Sequence, residues 1–119
     1  MVQDKECIFC KIVNGIIKQD FIYENDNFVA FTDANPKVKG HTLIVPKKHF
    51  ANSMDLPSSL GSELIDSVKN VAHYHFKDKS VEGFNIIQNN FPTAGQVVMH
   101  AHYHFMPRRK GDGFRLNGL

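Results

Sequence analysis

The apolar positions of this 119-residue chain follow two different periods. Between residues 58 and 76, Leu60, Leu64, Val68, Val71, Ala72 and His75 recur every three or four residues, which predicts one long helix with a single buried face. Elsewhere the apolar runs are short. Residues 21–23 and 28–31 flank the turn-prone Glu24-Asn25-Asp26-Asn27 and predict a hairpin, Leu43-Ile44-Val45 predicts a strand ending before Pro46, and residues 84–87 predict another. Residues 7–13 predict a short helix, with Gly15 placed to close it. The last patterned stretch, "VVMHAHYHFMP", alternates strictly, so as a strand it would put His100, His102 and His104 on one face and Met99, Ala101, Tyr103 and Phe105 on the other. Strands in runs with one substantial helix predict an α+β fold: one domain over residues 1–119, with an antiparallel sheet and the helix packed on one face.

Composition narrows the possibilities. The chain is 42% hydrophobic with ten phenylalanines, enough for one modest core, and carries a net charge of only +2, far from the footprint of a nucleic-acid-binding domain. Its basic clusters, Lys47-Lys48 and Arg108-Arg109-Lys110, are small and read as solvated surface. No stretch has the apolar length of a membrane span or a signal sequence, so a cytoplasmic protein with no membrane or nucleic-acid partner is expected. The two cysteines, Cys7 and Cys10, are too few and too close for a disulfide framework.

The chemistry concentrates in the histidines. On a strand the first and third of the row lie about 13 Å apart, too far for one tetrahedral zinc ion to take both, so one ion takes at most an adjacent pair. Imidazole is also a nucleophile near neutral pH, and a neighbouring ring can fix its tautomer and meet charge on an anion. The loop "NNFPTAGQ" just before the row offers backbone N–H groups and amides suited to an anionic group. The Cys7-x-x-Cys10 pair lacks the βαβ surroundings of a redox motif; it fits either two small buried hydrophobes or half of a zinc site completed by His49 and one histidine of the row.

"HAHYHFM", taken with "CIFCKIVNG", "FTDANPKVKGHTLIVPKKH", "GFNIIQNN" and "AGQVVMH" in that order and spacing, resembles the histidine triad (HIT) superfamily of nucleotide hydrolases and transferases. The resemblance runs from about residue 7 to 114. It implies a HIT-like five-stranded antiparallel sheet with one long and one short helix, dimerising into a ten-stranded sheet. It further implies a purine nucleotide hydrolase that cleaves at the α-phosphate through a nucleotidyl-histidine intermediate. Adenosine 5'-monophosphoramidate and related conjugates are the expected substrates, with dinucleoside polyphosphates, or nucleotide binding without catalysis, as alternatives. Carried onto this chain, the resemblance makes His102 the nucleophile and puts His104 and His41 on the phosphate and leaving group. Asn89, Gly95 and Gln96 would hold phosphate oxygens, Asp33 the ribose hydroxyls, and Ile8, Phe9, Ile12, Ile17, Phe31 and Leu43 would wall the base. Structural zinc would sit on Cys7, Cys10, His49 and His100. In one respect the chain departs from the pattern: Val97 stands where many relatives place a serine or threonine that contacts the leaving group.

Overall fold

A computed structural model describes residues 6–116. Its elements are α1 (Ile8–Val13), β1 (Tyr23–Glu24), β2 (Phe28–Thr32), β3 (Thr42–Pro46), α2 (Gly61–Phe76), β4 (Gly83–Ile87) and β5 (Tyr103–Arg108). The strands form one antiparallel sheet in the order β1-β2-β3-β5-β4.

Alternation along the central strands divides the core between the two faces of the sheet. Phe28, Ala30, Ile44, Tyr103 and Phe105 point to one face, where they pack against Val71 and Ala72 and the partly buried Leu60, Leu64 and Val68, the helical stripe seen in the sequence. Val29, Phe31, Leu43 and Val45 point to the other face and pack against Cys7, Phe9, Cys10 and Ile12. The long helix covers one face as expected, the short helix α1 covers part of the other, and all five residues of β3 are buried between them.

Local chemistry sets the boundaries. The Asn25 side chain accepts from the backbone N–H of Asn27 and Phe28 at 3.1 and 2.8 Å, forming the hairpin turn, and its amide donates to the Glu63 carbonyl at 3.2 Å, pinning that turn to α2. Gly15 adopts φ 76° just after α1, as a helix-closing glycine does. α2 begins later than its pattern, because Ser58–Leu60 form a 3₁₀ turn and the α-helix starts at Gly61. His75, near the end of α2, is buried, stacks on Phe105 at 5.4 Å and bonds Thr42 Oγ1 at 2.8 Å, whereas His73 is exposed.

The histidine row departs from the sequence reading. The ladder of β5 begins only at Tyr103, so His104 alone of the three lies on a strand. Just upstream, the Ala101 N–H donates to the Phe50 carbonyl at 2.6 Å, which takes the backbone at residues 97–102 out of sheet register. Ala101 is still buried with the core, but Met99 is 42% exposed and does not share a face with Tyr103 and Phe105.

Candidate active site

His104 lies on β5, an inner strand of the sheet, paired with Leu43 of β3 on one side and Ile87 of β4 on the other. Those three residues form part of the wall of a cavity of about 590 Å³, within the range of small-molecule sites. Ile8, Phe9, Ile12, Phe31 and Leu43 give the cavity an apolar wall, and Asp33, His41, Asn89, Gly95, His102 and His104 add polar groups. Of the residues expected at a nucleotide, two are placed elsewhere. Ile17 is 37% exposed and is not part of the lining. Gln96 is buried with its side chain turned to the backbone, accepting from Phe91 N–H at 2.8 Å and donating to the carbonyls of Ala51 and Val98 at 2.6 and 2.9 Å. It braces the loop, because three backbone groups engage its amide and take both of its N–H donors. Asn89, by contrast, lines the cavity, and Gly95 beside it adopts φ 97°, a conformation that favours glycine.

The imidazole tautomers follow from the hydrogen-bond network. His102 Nδ1 lies 2.7 Å from the His100 carbonyl, which can only accept, so Nδ1 carries the proton and Nε2 holds a free lone pair. The backbone N–H of Lys37 donates to His41 Nδ1 at 3.1 Å. His41 therefore carries its proton on Nε2, which faces His104 Nδ1 at 2.9 Å and Asp33 Oδ2 at 3.3 Å. His104 Nδ1 accepts, which leaves Nε2–H of His104 as a donor. Burial lowers the pKa of His41 and His102 and holds His104 down to about 4, so all three rings are neutral at neutral pH. The site thus offers one unprotonated ring nitrogen as nucleophile and one N–H as donor. Phe9 packs edge-on against His102 at 5.0 Å and fixes the plane of that ring.

A second cluster lies behind the nucleophile. Cys7, Cys10, His49 and His100 present four metal-capable atoms within 4.8 Å of one another. Cys7 Sγ to His100 Nδ1 is 3.3 Å, Cys10 Sγ to His49 Nδ1 is 3.2 Å, Cys10 Sγ to His100 Nδ1 is 3.5 Å and the two Nδ1 atoms are 3.2 Å apart. A tetrahedral ion with ordinary zinc bond lengths requires S···N near ~3.6 Å and N···N near ~3.3 Å, so these donors fit. The far nitrogen of His100, Nε2, donates to the Pro46 carbonyl at 2.8 Å, the outer hydrogen bond that orients a metal-binding imidazole.

Phe9, Cys7 and Cys10 tie both clusters to α1, whose N-terminus Cys7 caps by accepting the Cys10 N–H at 3.4 Å. The HIT domain family matches residues 14–111. This chain belongs to the HIT family. An uncharacterised HIT-like protein of Methanocaldococcus jannaschii is 45% identical over 107 residues, covering 90% of this chain and 82% of that one. An adenosine 5'-monophosphoramidase of Candida albicans is 34% identical over 113 residues, covering 92% and 74%. Among solved structures, a Streptococcus mutans protein matches with a TM-score of 0.90 at 38% identity, over 98% of this chain and 74% of the other. A zinc-bound histidine triad protein from Mycobacterium smegmatis matches with a TM-score of 0.85 at 34% identity, over 93% and 81%. This HIT chain thus has a relative named as a hydrolase of a nucleotide conjugate and shares the fold of solved HIT-family proteins.

Several cavity residues of this HIT protein carried no signal in the sequence. Lys37, Ile87, Val98, Met106 and Phe114 reach the lining only through tertiary structure. Phe114 is brought there by Arg108, which donates to its carbonyl at 2.5 Å and lies 5.1 Å from its ring.

Proposed function

We propose that this HIT protein hydrolyses AMP conjugates at the α-phosphorus through a covalent intermediate on His102. Adenosine 5'-monophosphoramidate is the substrate named for HIT relatives. The observation that carries this reading is the tautomer of His102: its proton is held on Nδ1 by the His100 carbonyl, which frees Nε2 at the wall of the cavity. The purine would rest against Ile8, Phe9, Ile12, Phe31 and Leu43, and the ribose would meet Asp33. His102 Nε2 would then form a bond to phosphorus while the bond from phosphorus to the leaving group breaks, its electron pair departing with that group, which takes up a proton from solvent where it is an amine and leaves as an anion where it is a sulfate or phosphate. Asn89 and His104 Nε2–H would steady the phosphoryl oxygens as charge builds on them. Water would next displace the ring, releasing AMP and a proton and restoring His102.

Cys7, Cys10, His49 and His100 would hold zinc, which with four protein ligands serves as a structural brace. His100 is also the residue whose carbonyl holds the nucleophile, so that brace supports the site directly. We further propose an intracellular homodimer joined along β4. That strand is an edge of the sheet, and its Phe84 and Ile86, with Phe76 of α2 beside them, are 38%, 40% and 39% exposed.

Turnover of a panel of AMP conjugates by wild type and His102→Ala, side by side, tests the reading. We expect the variant to fold, to bind AMP and to lose at least about 1,000-fold in kcat/KM. Undiminished turnover would remove the covalent mechanism. Binding of AMP without turnover of any conjugate by the wild type would identify a nucleotide-binding module instead.

A further inference from the structure

Imidazoles apart, the cavity lining carries two charged side chains among the described residues, Asp33 and Lys37. The mechanism above uses the first and only the backbone of the second. Lys37 is exposed, and no ion pair or side-chain hydrogen bond ties down its ammonium among the described residues. Its backbone fixes it at the catalytic centre all the same, through the N–H that sets the tautomer of His41. Its side chain lines the same cavity as His41 and His104, and its positive charge opposes protonation of both rings. A solvent-exposed cation on the cavity lining is therefore carried by a backbone that is anchored at the ring of His41.

The rest of the lining gives this cation a role. Val97 also borders the cavity, is 87% exposed and has no proton to give. A leaving amine must collect a proton as its bond to phosphorus breaks and so departs neutral or cationic. A leaving sulfate or phosphate takes the electron pair of the broken bond, needs no proton and departs as an anion. An ammonium on the cavity lining stabilises the departure of an anion and gives no such charge stabilisation to a neutral or cationic amine.

Resting on the reading under Proposed function, we propose that Lys37 is a specificity-determining residue. Its ammonium meets the negative charge of an anionic leaving group and raises the preference of this protein for AMP anhydrides of sulfate or phosphate over AMP amides.

The test compares kcat/KM for adenosine 5'-phosphosulfate and adenosine 5'-phosphoramidate in the wild type, Lys37→Gln and Lys37→Arg. The side chain is exposed and the backbone N–H is retained, so both variants should fold. We expect the phosphosulfate-to-phosphoramidate ratio to fall about tenfold in Lys37→Gln, to stay within about threefold of wild type in Lys37→Arg, and to drop in the wild type as salt is raised. If the wild type accepts only the phosphosulfate, the same tenfold loss, restored by arginine, supports the assignment. A ratio unchanged in Lys37→Gln, an equal fall in Lys37→Arg, or a wild type that accepts only the phosphoramidate overturns it and leaves the covalent mechanism standing. A wild type that accepts neither compound overturns both.

Discussion

The protein holds two clusters that look alike as lists of residues and behave oppositely as chemistry. Cys7, Cys10, His49 and His100 form one; Asp33, His41 and His104 form the other; each brings its metal-capable atoms within 4.8 Å. In the first, two thiols and two Nδ1 atoms converge, and the remaining nitrogen of His100 is satisfied by the Pro46 carbonyl. Lone pairs are left facing a common centre. In the second, the Lys37 N–H occupies His41 Nδ1, so a metal on His41 Nε2 would have to displace the only proton that ring carries. That cluster passes a hydrogen bond along from Lys37 through His41 to His104. Which nitrogen the backbone engages decides between a metal site and a relay, and residue type alone does not.

The comparison breaks most visibly at the metal cluster. With zinc held as proposed, metal analysis should find one ion per chain in the wild type and none in Cys10→Ser, whose thermal midpoint should be lower by at least about 10 °C. His104→Gln should retain the metal and lose activity instead. Equal metal loss in both variants would show that the clusters are not distinct.

Next in size is the relay. His41→Ala and His104→Ala should each lower kcat about 100-fold, and the double variant should be little worse than either, because the two rings act in series. Additive losses in that double-mutant cycle would mean they act independently.

Smaller, and global, is the effect of acid. His41, His75 and His104 are each held below the ordinary histidine pKa by burial, so the unfolded chain binds more protons than the folded one between about pH 6.5 and the lowered values, about 4 for His104. Stability is therefore fully present above pH 6.5 and declines as pH falls through that window. The paired carboxylates Asp78 and Asp112 have lowered pKa values and lose their contribution only in stronger acid. The thermal midpoint should drop by about 5 °C or more from pH 7 to pH 5, and by less in His75→Gln, which replaces one buried imidazole. A midpoint that rises on acidification contradicts the assignment.

Much of this was legible in the sequence because it depended on local chemistry. The helical stripe from Leu60 to His75, the asparagine turn before Phe28 and the glycine closing α1 are decided within a few residues, and each is found as expected. The four candidate zinc ligands also come together, although His49 and His100 are far apart in the chain. Alternation misled where tertiary contacts took over: the bond from Ala101 to Phe50 removes His100 and His102 from the strand. That same departure lets His100 turn toward the cysteines while its carbonyl holds His102. The place of the Gln96 side chain was not legible, because nothing local reveals that Phe91, Ala51 and Val98 will claim its amide. Lys37 gave no signal, since its link to His41 is made by its backbone.

The most direct test of the central claim is mass spectrometry of the protein quenched during turnover of a slow AMP conjugate. The account predicts a single nucleotidyl adduct on the peptide carrying His102, lost in His102→Ala and still formed on the same peptide in His49→Ala protein that remains folded. Turnover with no adduct at any time, or an adduct on His104 or His41 instead, would contradict it.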